Sequence, residues 1–205
     1  MTTSSEAGPD LRPDPRPNLF AAADQVVALV AAADPADFDR PTPCPDYDVR
    51  AMGGHLLAVM RRIVHVAGGG RADELTRMVT DVPDADLAAA AAADRDRLVA
   101  AWQGPDVLDR MMVLPWGTMP GRGAAFGYTQ ELTTHGWDLA SALGRRSDLD
   151  PNLATAVLGL ARQVVPAETR GGPIPFGPVV AVADDSGPYD QLVGWLGRDP
   201  KWSPA

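Results

Sequence analysis

Residues 128–143, YTQELTTHGWDLASAL, decide the fold, because this stretch predicts a helix with two ligand-type side chains on its apolar face. Glu131 and His135 are four positions apart, which places them roughly 40° apart around a helix axis. The apolar residues on the same side are Tyr128, Leu132, Leu139, Ala142 and Leu143. Burying an unpaired carboxylate is costly, so we expect a partner, either a polar group or a metal ion, elsewhere in the chain.

A second predicted helix, over residues 49–67, supplies that partner. Asp48 is suited to cap its start, and the glycine run 68–70 ends it. Its apolar face is marked by Met52, Leu56, Val59, Ile63 and Val66. His55 lies in the same sector, whereas His65 lies well to the other side and is expected to be a solvated surface residue.

The rest of the chain predicts more helices and a C-terminal segment of different composition. Further helices are predicted over residues 19–33, about 84–102, about 124–143, 151–165 and about 189–196. The segment MMVLPWGTMPGRG, residues 111–123, fits either a short hairpin or an ordered loop over one end of the bundle. The chain after residue 166 is punctuated by proline and glycine and predicts extended structure.

These elements predict an all-α fold: a four-helix bundle with a short C-terminal helix plus an extended segment. Residues 1–17 are rich in Pro, Ser, Thr and Asp and are expected to form a mobile tail. Residues 18–145 are expected to form the bundle. Residues 146–205 are expected to form an addition packed on it.

Composition excludes several classes of partner. The chain has 205 residues, with 18 basic and 27 acidic side chains and a formal net charge of −9. This balance argues against a nucleic-acid partner and against an anionic membrane partner. Cys44 is the only cysteine, so no internal disulfide can form. The N-terminal sequence lacks the features of a signal peptide and no apolar run is long enough to span a bilayer, so we expect a soluble cytoplasmic protein.

His55, Glu131 and His135 form a set of two histidines and one carboxylate on predicted core faces. Three protein ligands with open positions are typical of catalytic zinc, and the set also suits iron or nickel. Spacing alone leaves another interpretation open. The histidines could be hydrogen-bonded core residues, and Glu131 could pair with an arginine such as Arg122.

Several motifs together resemble a known superfamily. They are the loop TPCPDYDVRAMG, the following GHLLAVMRR, then LPWGTMPG, ELTTHGWDLASALG and the closing LGRDPKW. This combination is similar to the DinB-like metal-binding superfamily, and to the actinobacterial branch related to the metal-binding domain of mycothiol-dependent maleylpyruvate isomerase. The resemblance runs over most of the chain, from about residue 19 to residue 202.

The resemblance implies a DinB-like four-helix bundle and a divalent metal, usually zinc. By its motifs the metal ligands would be His55, Glu131 and His135, the three residues that helical phase brings together. It also implies mycothiol as the partner thiol. The isomerase carries a larger C-terminal domain, whereas this chain has only about forty residues after its fifth predicted helix, so isomerase activity does not follow directly.

Three more residues are candidates for supporting roles. Asp138 lies seven positions after Glu131 and could accept a hydrogen bond from a ligand imidazole, or pair with an arginine. Tyr128 could act as a general acid, although packing is the commoner role for such a residue. Cys44 precedes a helix start, where a thiolate is favoured, but a lone cysteine in a proline-rich loop is more often a packed thiol.

Three functions fit these residues. The first is a thiol-dependent isomerase-like or transferase-like enzyme that acts on a small molecule, with a low-molecular-weight thiol such as mycothiol. The second is a metal-dependent hydrolase in which Asp138 or Tyr128 assists. The third is a non-catalytic metal-binding or stress-response module. The oligomeric state is left open, with a homodimer as one option.

Overall fold

A computed structural model describes residues 13–170 and 176–204, and it confirms the all-α fold class. The long helices are α1 (Arg16–Ala32), α2 (Val49–Ala67), α3 (Leu87–Trp102) and α4 (Gly121–Ala142). Between α3 and α4 lies a hairpin of β1 (Met111–Leu114) and β2 (Gly117–Pro120). The C-terminal part contains α5 (Pro151–Val164) and the short α6 (Pro188–Trp195).

The four long helices enclose one apolar core, because α1 and α2 each pack against both α3 and α4. Each helix contributes fully buried side chains, among them Leu19, Met52, Leu98 and Leu132. Trp102 is also fully buried, and its indole Nε1 donates to the carbonyl oxygen of Ile63 at 3.1 Å. The largest core aromatic therefore leaves no polar atom without a partner.

The helix ends follow local chemistry. The carboxylate of Asp48 accepts the backbone N–H of Ala51 at 2.7 Å, which confirms Asp48 as the cap of α2. Residues 84–86 form a 3-10 turn, so α3 begins only at Leu87. Helix α1 begins at Arg16, inside the predicted tail of residues 1–17, whose first twelve residues lie outside those described.

The segment of residues 111–120 is a hairpin rather than an irregular loop. Its strands pair antiparallel, from Met111 opposite Pro120 to Leu114 opposite Gly117. Trp116 in the turn packs edge-on against Tyr128 of α4, with ring centroids 5.2 Å apart. A Cβ atom on Gly127 would lie 2.7 Å from the Trp116 ring, so glycine lets the turn approach α4 this closely.

The C-terminal helices pack beside the bundle. Helix α5 packs against α4 and α6, and together they enclose a second, smaller apolar cluster. Its buried residues are Ala154, Val157, Leu158, Ala161, Val165, Leu192 and Leu196. None of the helices in residues 13–170 and 176–204 has the length and apolar character needed to cross a bilayer.

Residues 76–79 lie across α2 and are fastened to it by three hydrogen bonds. We name this segment the 76–79 strap. Arg62 donates to the Thr76 carbonyl at 2.9 Å, His55 Nδ1 lies 2.9 Å from the Arg77 carbonyl, and the Val79 N–H donates to the Gly54 carbonyl at 3.1 Å. A Cβ atom on Gly54 would lie 2.4 Å from the Val79 carbonyl oxygen. Glycine at position 54 therefore permits the strap to lie against the helix.

We expect Gly54→Ala to lower the free energy of unfolding by about 1–3 kcal/mol, because the added methyl group must push the strap away from α2. Gly53→Ala is the matched control, since a Cβ atom there would meet nothing within 4 Å. The control should be neutral or should stabilise the helix by up to about 1 kcal/mol. Denaturant unfolding measures both variants, and equal losses would contradict the close approach of the strap.

Candidate metal centre

Helices α2 and α4 bring His55, Glu131 and His135 to one point in the bundle. His55 Nε2 lies 3.6 Å from Glu131 Oε1, and the two imidazole rings have centroids 4.9 Å apart at an interplanar angle of 82°. One donor atom from each of the three residues lies within 4.8 Å of the others. Residues on two helices, 76 and more positions apart in the chain, thus form one compact donor set.

The strap fixes which nitrogen of His55 faces the other donors. The Arg77 carbonyl can only accept, so His55 Nδ1 carries the proton and donates to it at 2.9 Å. In the neutral ring Nε2 then keeps its lone pair, and it lies 3.6 Å from the Glu131 carboxylate. Nε2 is buried with no hydrogen-bond partner among the described residues. Two acceptors facing each other in this way require a cation, either a proton or a metal ion.

His135 is oriented by a buried carboxylate. Its Nδ1 lies 2.9 Å from Asp138 Oδ2, three positions further along α4. Asp138 is fully buried and also accepts two hydrogen bonds from Arg198, each at 2.8 Å. Both interpretations offered for Asp138 from the sequence, an imidazole acceptor and an arginine partner, therefore describe contacts that the structure contains.

Both acidic groups at this point are held in the ionised form. Burial favours the protonated form of Glu131, but a hydrogen bond from His55 and the charge of His135, each when protonated, together with the Arg62 charge, outweigh it and leave the pKa below its ordinary value. Burial opposes ionisation of Asp138 in the same way, and its bonds to His135 and Arg198 bring the pKa below the ordinary value. Glu131 is thus available as an anionic ligand, and Asp138 as an anionic acceptor.

An aromatic ring closes one side of the donor set. Tyr47 stacks on the His55 ring with centroids 4.8 Å apart at 23°, and it meets the His135 ring edge-on at 6.4 Å. Burial raises the pKa of the Tyr47 phenol, and the nearby acidic groups add to that rise. Sequence reasoning gave no role to Tyr47 or to Arg198. Both stand in motifs that carry the family resemblance, which is the one signal that could have singled them out.

The other candidates lie in different surroundings. Tyr128 is fully buried beneath Trp116, burial raises its pKa, and its hydroxyl has no partner among the described residues. His65 is partly exposed, and its Nε2 lies 2.6 Å from the Glu74 carboxylate. Arg122 donates to the Pro13 carbonyl at 3.0 Å.

Cys44 forms a second possible donor group with His135 and Asp138, whose donor atoms also lie within 4.8 Å of one another. Burial raises the pKa of the Cys44 thiol, which keeps it protonated. Both oxygens of Asp138 are already bonded to Arg198 or His135. This group is therefore poorly suited to a metal ion, and Cys44 has the surroundings of a packed thiol.

His55, Glu131 and His135 fit a divalent metal ion better. A tetrahedral zinc with bonds of about 2.0–2.2 Å places its donors about 3.3–3.6 Å apart, and His55 Nε2 and Glu131 Oε1 are 3.6 Å apart. The side chains are 7% exposed for His55, 15% for His135 and 29% for Glu131. The donor set is therefore open to solvent on the Glu131 side, as a catalytic rather than a structural site requires.

The fold and this donor set define a class: helical bundles in which facing helices carry histidine and carboxylate side chains toward one point. A family model described as the mycothiol maleylpyruvate isomerase N-terminal domain matches residues 19–140. The chain belongs to this family, since the match spans more than half of its length.

Similar proteins are known both by sequence and by structure. An uncharacterized protein found in two strains of Mycobacterium tuberculosis is 33% identical over 185 residues, which cover 86% of this chain and 93% of the relative. A crystal structure of a mutant of the mycothiol-dependent maleylpyruvate isomerase matches with a TM-score of 0.50 at 15% identity, and another structure of that isomerase with 0.47 at 14%. Each match covers 61% of this chain and 59% of the isomerase chain, so the likeness concerns the fold.

We expect Asp138→Asn to weaken zinc binding by about tenfold to a hundredfold, because an amide holds the His135 ring less firmly than a carboxylate does. Zinc affinity is measured by competition with a chromophoric chelator. Asp148→Asn is the control, since Asp148 pairs with Arg145 at the surface. An unchanged zinc affinity in Asp138→Asn would contradict the orienting role.

Proposed function

We propose that this protein binds a divalent metal ion through His55, Glu131 and His135 and acts as a mycothiol-dependent isomerase-like or transferase-like enzyme. Zinc is the metal we favour, with nickel and iron as alternatives. The observation that carries the proposal is the position of His55 Nε2, which is buried, lacks a hydrogen-bond partner among the described residues and lies 3.6 Å from the Glu131 carboxylate. Membership of the family supports mycothiol as the thiol.

The chain's own residues would hold and orient the reacting groups. The Arg77 carbonyl and the Asp138 carboxylate each fix one imidazole, so that both rings keep a nitrogen free for the metal. Bound there, a divalent cation lowers the pKa of a thiol placed beside it. Tyr47 shields the imidazoles, while the open Glu131 side admits the thiol and a small-molecule substrate.

Asp138 fits the part of a positioning residue rather than a proton donor, because it is ionised and bonded to two partners. Tyr128 has a hydroxyl without a partner among the described residues, yet it lies beneath Trp116. We place the activity in the cytoplasm, since low-molecular-weight thiols stay reduced there.

His135→Ala tests the metal and the thiol together. We expect the variant to lose metal and thiol-dependent turnover while the bundle stays folded, because the freed Glu131 can take up a proton. His65→Ala is the control, since His65 binds Glu74 at the far end of α2. Metal analysis measures the bound metal, and circular dichroism measures folding. A thermal-shift assay measures the mycothiol binding that thiol-dependent turnover requires.

Two results would contradict this proposal. Retained mycothiol binding in metal-free His135→Ala would exclude activation of the thiol by the metal. Wild-type protein that binds zinc tightly but gains no stability from mycothiol would favour a non-catalytic metal-binding module.

Zinc binding should depend on pH in a defined direction. Both imidazoles must be unprotonated to bind metal, and free histidine takes up a proton below about pH 6.5. Added zinc should therefore raise the melting temperature more at pH 7.5 than at pH 5. Equal shifts at the two pH values would show that histidines do not hold the metal.

A further inference from the structure

A second feature lies beside the 76–79 strap: a cavity of about 420 Å³ whose lining includes Arg77. Its lining residues are Arg62, Arg71, Ala72, Asp73, Leu75, Arg77, Val113, Leu114 and Pro115. One wall comes from α2, another from the segment that leads into the strap, and the third from the end of β1. A volume of this size suits a small molecule rather than a macromolecule.

The lining is positively charged, although the chain as a whole carries a net charge of −9. Three arginines face one acidic residue, Asp73. Arg71 is paired with that acid, with its Nη2 3.0 Å from Asp73 Oδ2. Arg62 and Arg77 form no ion pair with any described residue, so neither guanidinium has a carboxylate in direct contact.

Arg62 is the more unusual of the two, because it is only 5% exposed. Its Nη2 donates to the Thr76 carbonyl at 2.9 Å, but its Nε is buried and has no hydrogen-bond partner among the described residues. A buried guanidinium with an unpartnered N–H and no carboxylate in direct contact is costly, and an anionic ligand would supply both the charge and the acceptor.

Arg77 links the cavity to the candidate metal centre. Its carbonyl accepts the hydrogen bond from His55 Nδ1, and the residue is also part of the cavity lining. Arg77 is exposed, and no described residue forms a hydrogen bond or ion pair with its guanidinium. Arg62 lies on the same helix as His55, about two turns further along α2.

We propose that this cavity is an oxyanion subsite, in which Arg62 and Arg77 bind a carboxylate or phosphate group of the small-molecule substrate beside the metal centre. The planar fork of a guanidinium matches both oxyanions through paired hydrogen bonds. This inference rests on the proposed function, because it gives the substrate of that same site an anionic group.

The test is calorimetric titration of the full-length protein with succinate and with methyl phosphate, with and without one equivalent of zinc. Succinamide serves as the neutral counterpart of succinate. We expect Arg77→Gln to weaken oxyanion binding about tenfold, since it removes a charge-assisted contact. Zinc affinity should be unchanged, because the residue 77 carbonyl remains to hold His55. Arg62→Lys keeps the charge but not the fork and should also weaken binding.

Arg145→Gln is the matched control, because it removes the same charge from a surface residue paired with Asp148. If Arg145→Gln and Arg77→Gln weaken oxyanion binding equally, the effect comes from the overall charge of the protein, and the subsite proposal is overturned. Lack of binding of both probes to wild-type protein would also overturn it. The probe that binds more tightly identifies the oxyanion as carboxylate or phosphate. If wild-type protein binds no zinc, the proposed metal function is refuted. The titrations without zinc still test whether the cavity binds an oxyanion.

Discussion

The bond network of one buried carboxylate, Asp138, ties the candidate metal centre to the C-terminal part of the chain. Asp138 is fully buried on α4, accepts a fork of two hydrogen bonds from Arg198 and holds the His135 ring. Breaking a buried ion pair by removing one partner costs about 3–5 kcal/mol, so Arg198 and Asp138 depend on each other. The segment around Arg198 therefore supports the candidate metal centre through Asp138, although Arg198 lies 60 positions further along the chain.

His55 is held by a different device, which uses backbone rather than charge. The strap lies against α2 because Gly54 has no side chain, and the Arg77 carbonyl then meets His55 Nδ1. The two imidazoles are thus oriented by unrelated parts of the structure, one by a carboxylate on its own helix and the other by a loop carbonyl. The orientation of the two imidazoles therefore does not depend on one shared loop or helix.

Much of this arrangement could be predicted from the sequence, because helical phase is a local property. The spacing of apolar residues in α2 and α4 predicted that His55, Glu131 and His135 lie on the helix faces that meet in the bundle. Asp48 predicted the start of α2. The start of α3 was placed too early, because the acidic turn of residues 84–86 continues the helical pattern without forming an α-helix. Arg198, Tyr47 and the Arg77 carbonyl could not be assigned roles, since their contacts depend on how distant segments meet, and a backbone carbonyl leaves no mark in a sequence.

Position 77 contributes to two neighbouring sites, the candidate metal centre and the cavity. Its main-chain carbonyl accepts a hydrogen bond from the candidate ligand His55, and the residue also lines the neighbouring cavity. Any residue that keeps the strap in place supplies the same carbonyl, whatever side chain it carries. Selection can therefore alter what the cavity accepts by changing this one codon while the metal ligands stay in register. Under the roles proposed for the two sites, relatives with the same metal centre can diverge in substrate by this route.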